Sequence, residues 1–459
     1  MLNNNVSKSN ISYWGSKELG NKYKASEVKK VKNNLSPDKR NIKAKQTYHQ
    51  NAQSKTQNDK RKCKENVEVR ELIKKGVLVS IDKGLLFGFI GLIVFGVLFV
   101  FDASAVVSSR APYYNQFAVL FRHLLFLGIG SFLTLLISRF RSEVLSKFSL
   151  LLLGLSLLGL FLTLVPSIGV VVNGARRWIS IGGFTIQFSE IVKPILILYL
   201  AFWLPKVEKE IKNNDFIEYT KSFLLKKFLP FCILITITLV PIVFQKDLGS
   251  IIVIGFIALV LFVFSANSKL NFFSSFLILT LGAISVVAMI SFESYRVGRF
   301  EVYTEVLTTG RLSKELALSS GYQIQQVLIA IGSGGISGLG LGESKQKYAY
   351  LVDQTSYTDT IFAVIAEELG FVGSLALVLF ILFIVLKGIN FSNEHKLLQH
   401  RLLVIGIISW FGFQSFINIA ANVSLIPFKG LTLPFISYGG SSLLALMIGL
   451  GILFSQKYE

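Results

Sequence analysis

Cysteine is nearly missing from this sequence: Cys63 stands in a polar stretch and Cys232 inside an apolar run. Neither spacing nor location supports a disulfide framework or a zinc site, which argues against redox chemistry. Charge is sparse as well, at 16% of 459 residues, and acids are the scarcer sign, with 27 against 47 bases. The net charge of +20 would suit nucleic acid, but 19 bases and 7 acids precede residue 76. Most of the excess therefore belongs to one N-terminal segment, and no nucleic-acid partner is expected. No cleavable signal peptide is expected either, because the first apolar run begins far inside the chain. What the chain has in abundance is apolar length: 52% of residues are hydrophobic, 39 of them Phe, gathered in repeated runs. Runs of about 20 apolar residues are longer than a soluble core needs and match the width of a bilayer. The expected fold is all-α, a polytopic helical membrane protein.

Residues 1–75 are rich in Lys, Asn, Ser and Gln. Such a composition cannot bury enough surface to offset its ordering entropy, so a disordered basic tail is expected. Cytoplasmic placement follows from the positive-inside effect, helped by anionic head groups. The remainder, 76–459, reads as the transmembrane domain. Ten runs are long enough to span: 84–102, 117–138, 147–166, 188–205, 227–244, 249–266, 271–292, 360–387, 401–423 and 437–455. An even number puts the N and C termini on one side, both cytoplasmic. The loops at 139–147, 206–227 and 387–401 then also fall inside, and they carry Arg139, Arg141, Lys206, Lys209, Lys221, Lys396 and Arg401. The longest loop outside is 293–359. A loop of that length without repeats or linker composition is more often functional than filler.

The exceptions to the charge rule carry information. Arg176, Arg177, Arg296, Arg299, Arg311, Lys345, Lys347 and Lys429 fall on the outward side. Singly each reads as a solvated loop charge. As a set they suit an anionic partner, and Arg and Lys bind phosphates by charge-assisted hydrogen bonds. Ionisable residues also fall in or beside the spans: Arg122, Glu190, Lys193, Asp247, Glu367 and Glu368. They should face the bundle interior and find partners. Glu190 and Lys193, three apart, can pair, and Asp247 with Arg122 would complete a balanced cluster if their helices adjoin. That cluster reads either as a network orienting helices or as the ion pathway of a transporter. Glu367 and Glu368 project about 100° apart and are not expected to share one cavity. Asp359, where the long loop meets an apolar helix, reads as a functional carboxylate or as that helix's N-cap.

Five stretches, in order, together resemble one family, the SEDS proteins (shape, elongation, division and sporulation). They are Asn173-Gly174-Ala175-Arg176-Arg177-Trp178 with Gln187-Phe188-Ser189-Glu190 and Lys193; Gln245-Lys246-Asp247-Leu248-Gly249; Gly321-Tyr322-Gln323 with Gly332-Ser333-Gly334-Gly335; Thr358-Asp359 through Glu367-Glu368-Leu369-Gly370; and Lys429-Gly430-Leu431-Thr432-Leu433-Pro434 through Gly439-Gly440. The first and last look more like the cell-division branch than the elongation branch. The sequence departs from the family where prolines are usual, at Phe188 and Lys246, and where Leu-Pro-Glu and a His are usual, at Leu351-Val352-Asp353 and Tyr357.

The resemblance implies a processive glycosyltransferase that polymerises lipid II, an undecaprenyl-pyrophosphate-linked disaccharide pentapeptide. It implies a class B penicillin-binding protein as transpeptidase partner, other division proteins, and a site in the bacterial inner membrane at the septum. It puts the catalytic aspartate at Asp359, where partial desolvation would raise a carboxylate toward the working pH of a general base. Arg122, Glu190, Lys193 and Asp247 match polar positions of the family's central cavity. Arg176, Arg177, Lys345, Lys347 and Lys429 are the candidate pyrophosphate ligands, and a divalent cation, Mg or Mn, held by phosphate and a carboxylate would do similar work. Two rival readings are a lipid flippase or small-solute transporter worked by the buried charges, and a non-catalytic division scaffold.

Overall fold

The structure, a computed structural model, describes residues 82–109, 114–172, 174–211, 216–266, 269–291, 294–317, 319, 321–348, 356–427 and 430–456. The expectations for the 1–75 tail, for Lys429 and for Leu351-Val352-Asp353 lie outside the described residues.

Each apolar run is a helix. In chain order they are α1 (Lys83–Ser108), α2 (Ala118–Ile137), α3 (Ser142–Leu164), α4 (Phe188–Ile211), α5 (Phe216–Phe223) continuing through a π-helical turn at Leu224–Phe228 into α6 (Leu229–Phe244), α7 (Leu248–Phe264) and α8 (Lys269–Ser291). After them come α9 (Ser294–Thr309), α10 (Tyr322–Gly334), α11 (Ile361–Glu394), α12 (Leu398–Asn422) and α13 (Gly440–Phe454). Among the described residues eight helical stretches are long and apolar enough to cross a membrane, with Phe216–Phe244 counted as one; α7 and α13 are shorter apolar helices. The chain is a multi-pass membrane protein. Two starts are fixed by aspartates that accept a backbone N–H: Asp82 from Leu85 at 3.1 Å and Asp247 from Ser250 at 3.2 Å.

The bundle is built around α4, α12 and α13, whose side chains are mostly buried. α8 lies at the other extreme, with only Asn271 and Ser275 buried. The Leu and Phe side chains that α2, α3, α6 and α8 leave exposed suit a lipid surround, in which close packing and interhelical polar contacts hold helices together. Close approach is visible where Gly96 of α1 meets the backbone of Phe435 and Ile436, and where the Phe188 ring lies on Gly159 of α3. A Cβ at either glycine would collide with these atoms.

Three features depart from the reading of the runs alone. The α3–α4 connection is an antiparallel three-stranded sheet of β1 (Gly169–Val172), β2 (Ala175–Ile181) and β3 (Phe184–Ile186), its strands rich in Val and Ile. The stretch 293–359, read as one loop, contains α9 and α10. These helices are too polar to register as apolar runs, yet Val302 and Ile324 pack with Ala421 of α12 as a small separate core. Finally, α11 breaks at Gly370, where φ is +65°. The backbone groups freed there are taken up by a neighbouring loop: Leu339 and Gly340 N–H donate to the Glu367 and Glu368 carbonyls, both at 3.0 Å, while Phe371 N–H donates to Gly335 O at 2.9 Å.

Candidate active site

Asp359 ends the irregular stretch before α11. The helix N-cap is Thr360, one residue later, so capping is not the role of Asp359. Its position is held from behind: the side-chain amides of Asn418 and Asn422, one turn apart on α12, both donate to the Asp359 carbonyl, at 2.9 and 3.1 Å. Asn418 also donates to Leu431 O at 2.6 Å, which ties the aspartate to the segment before α13. In that segment a Cβ at Gly430 would sit 2.7 Å from Asp359 Oδ2, so the carboxylate rests against bare backbone.

The carboxylate is half-buried and accepts no hydrogen bond among the described residues. Burial pushes its pKa up to about 6, against the pull of Arg299 and then Arg177, while Asp247 adds a small upward push. A carboxylate with that affinity for protons is suited to take one near neutrality. Tyr357, standing where the family has His, is buried and meets Tyr438 edge-to-face at 5.7 Å; it supports the loop as packing.

The two arginines of β2 differ in use. Arg177 donates to the carbonyls of Gln245 and Lys246, at 3.1 and 2.8 Å, and so holds the α6–α7 corner beside Asp247. Lys246 has φ +57°, a conformation closed to the proline usual at that position. Arg176 donates to Leu164 O at 3.1 Å and packs on Gly169, as part of the sheet's attachment to α3.

The expected four-membered charge cluster resolves differently. Lys193 donates to Glu190 at 2.6 Å and to Gln414 at 3.4 Å, and its ammonium lies 5.8 Å from the Trp410 ring centre. Gln414 in turn donates to Thr432 O at 3.1 Å. Asp247 belongs to a second network, accepting from Gln187 at 3.0 Å, Ser189 at 3.3 Å and Ser250 Oγ at 2.7 Å. Arg122 is exposed on α2.

Lys345 and Lys347 belong to a third structure. Lys347 is buried and donates to Asp102 at 2.8 Å and Glu368 at 2.9 Å. Burial works against its charge, but those two carboxylates outweigh it and hold its pKa above the ordinary lysine value. It joins α1 to α11, so a pyrophosphate would have to compete with both carboxylates for it. Lys345 has an exposed side chain, and its backbone N–H donates to Glu367 at 3.2 Å. Glu367 and Glu368, expected to face apart, both grip the 344–347 loop: Ser344 Oγ and Gln346 N–H donate to Glu367, Ser344 N–H to Glu368. The loop wraps far enough around the helix to meet both projections.

Arg299 was legible only as one of eight outward cations, and Asn418 and Asn422 not at all. Their one available signal was a pair of amides at helical spacing within an apolar run, where polar side chains need partners. No group of three or more His, Cys, Asp or Glu gathers to hold a metal among the described residues. A divalent cation at Asp359 would need phosphate oxygens of a ligand to complete its shell.

Residues 83–459 match the FTSW_RODA_SPOVE family, described as a cell cycle protein. A probable peptidoglycan glycosyltransferase FtsW of Coxiella burnetii is 38% identical over 390 residues, covering 84% of this chain and 98% of that protein. Its counterpart in Geobacter metallireducens is 33% identical over 366 residues, covering 80% and 92%. Among solved structures, one described as "Structural coordination of polymerization and crosslinking by a peptidoglycan synthase complex" superposes with a TM-score of 0.62 at 25% identity, covering 82% of this chain and 98% of that one. The Rod shape determining protein RodA of Thermus thermophilus does so with a TM-score of 0.53 at 26% identity, covering 82% and 97%. With the match running from the first helix to the last residue, this chain belongs to the FtsW/RodA/SpoVE family of SEDS proteins.

Proposed function

We propose that this chain is a peptidoglycan glycosyltransferase of the cell-division type, which polymerises lipid II at the outer face of the bacterial cytoplasmic membrane. The observation that carries the reading is Asp359: half-buried, raised by burial to a pKa of about 6, and under the opposing influence of the Arg299 and Arg177 charges. In the proposed step Asp359 takes the proton from the acceptor sugar hydroxyl as its oxygen attacks the anomeric carbon of the donor. The bond from that carbon to the diphosphate breaks, its electron pair leaves with the diphosphate, and the configuration inverts. Arg299, with Arg177 behind it, stabilises the charge that develops on the leaving group. Lys345 and Lys429 remain candidates for the same task.

The relatives named as FtsW and the likeness to a peptidoglycan synthase complex support a class B penicillin-binding protein as partner and the septum as the place of work. The segment before residue 76 is proposed as a cytoplasmic tail. The flippase reading loses support because Asp247 and Lys193 are engaged between helices, Asp247 by Gln187 and Ser189 at the start of α4 and Lys193 with Gln414 of α12, while Glu190 pairs with Lys193.

The test is polymerisation of purified lipid II by this protein co-purified with its transpeptidase, with glycan chains resolved on a gel. Wild type should make glycan, and folded Asp359→Asn and Asp359→Ala should make none. Equal glycan from the variants would remove Asp359 as the base. No glycan from wild type, with partner and divalent cation supplied, would overturn the polymerase.

A further inference from the structure

The corner between α6 and α7 carries a cation where the family usually has proline. Lys246 has φ +57° and an exposed side chain. A left-handed conformation is costly for a residue with a Cβ, and glycine would hold it without that cost. Such strain gathers at sites of function.

Arg177 makes the corner a place of two cations. Its Nε and Nη2 donate to the carbonyls of Gln245 and Lys246, at 3.1 and 2.8 Å, which sets the guanidinium against the backbone of Lys246. Its Nη1 has no hydrogen-bond partner, and the guanidinium no ion pair, among the described residues. Asp247, the next residue, turns its carboxylate inward to Gln187, Ser189 and Ser250. Two cations rooted this close repel each other, and an anion spanning both turns that repulsion into attraction.

The surroundings of the corner say which anion. Val243 and Phe244, the last residues of α6, are 39% and 70% exposed, so Lys246 stands where that helix leaves the hydrocarbon. On its other side the corner runs into the site by contact. A Cβ at Gly249, in the first turn of α7, would lie 2.8 Å from Leu431 Cδ2, and the residue before Leu431 is Gly430, which rests against the Asp359 carboxylate. An anion met at head-group level, joined to an apolar chain and delivered beside Asp359, is a lipid-linked diphosphate. Its two phosphoryl groups match the two cations.

We propose that Lys246 and Arg177 bind the diphosphate of the lipid-linked donor, with the first isoprene units of its chain against Val243 and Phe244. The assignment rests on the polymerase reading above and adds to it the place where the donor's diphosphate enters from the membrane.

The test is titration of fluorescent undecaprenyl diphosphate onto the full-length protein in nanodiscs of phosphatidylcholine, repeated with phosphatidylglycerol added. Polymerisation of lipid II by the same preparations, supplied with the transpeptidase, is followed alongside. Lys246→Gln and Lys246→Gly should each bind about tenfold more weakly than wild type, as loss of a charge-assisted hydrogen bond does. Lys246→Arg keeps the charge and should bind nearly as tightly as wild type. Lys246→Gly separates binding from folding, because it relieves the left-handed backbone and should raise the denaturation midpoint. A wild type that makes glycan, with Lys246→Gln and Lys246→Gly binding the diphosphate as tightly as it does, would overturn the Lys246 site alone. So would a wild type that makes glycan and binds no diphosphate. A wild-type affinity that falls on adding phosphatidylglycerol, with no fall in Lys246→Gln, would give the corner to a bilayer phosphate and overturn the assignment. A wild type that neither binds the diphosphate nor makes glycan would overturn the polymerase reading and the site with it.

Discussion

At the scale of single residues the proposed role of Asp359 as base depends on how it is held and how readily it gives up its proton. A base works only when deprotonated, and its raised pKa means that form is present above about pH 6 and lost as pH falls through that value. The profile of kcat/KM against pH should therefore have an acidic limb near 6, read from initial polymerisation rates. Arg299 lowers the pKa of Asp359, so Arg299→Gln should move that limb to higher pH as well as reduce the rate. A limb that stays in place would separate Arg299 from the base. Asn418→Ala removes the donor shared by Asp359 and Leu431. It should lower kcat by about tenfold or more with little change in KM, because misplacement of a reacting group is felt in the transition state. Gly430→Ala drives a methyl against Asp359 Oδ2. The expected result is strong loss of glycan with a nearly unchanged melting temperature, since the side chain can swing away but only out of position.

At the scale of elements the α5–α6 joint and the α6–α7 corner make opposite predictions. The π-helical turn buries Lys227, which donates to Glu208 at 2.7 Å and Asn271 at 2.9 Å, while the Asn271 amide caps the end of α7 by donating to Phe262 O at 2.8 Å. One lysine thereby fixes four helix ends. Lys227→Met should destabilise the detergent-solubilised protein by about 3 kcal/mol, the low end for breaking a buried pair. Glu208, 23% exposed at its side chain, keeps some access to water and holds the cost there. At the corner, Lys246 sits in a left-handed conformation. Lys246→Gly should stabilise by roughly 1 kcal/mol, whereas Lys246→Pro, which restores the family's usual residue, cannot hold φ +57° and should release Arg177 from the carbonyls it binds. Both are read by denaturation midpoint, and a stabilising proline would contradict the corner's geometry.

For the whole molecule, what was legible in the sequence is what hydrophobic length encodes. Ten apolar runs became ten helices, because lipid-facing and core-facing surfaces are both apolar and each span must satisfy its own backbone. The Glu190–Lys193 pair was legible for a similar reason, since helical spacing alone brings the two together. Asp359 was found as the carboxylate at the junction. Its setting was not, because Asn418, Gly430 and Arg299 reach it from three segments whose meeting depends on tertiary packing. The sheet between α3 and α4 was missed because its strands carry too few residues for a period to register, and α9 and α10 were missed because they are too polar to read as apolar runs. Glu367 and Glu368 project apart as their spacing requires; what the spacing could not show is the 344–347 loop that wraps around the helix to meet both.

The contact of Phe188 with Gly159 bears on the order in which this sequence was assembled. A phenylalanine in place of the family's proline fits only over a glycine, so position 159 had to be small before 188 could become large. The reverse path passes through a collision between α3 and α4. Enlarging Gly159 is now closed to this lineage while reverting Phe188 stays open, and the two positions should drift as a pair, with history readable in which of them changed first.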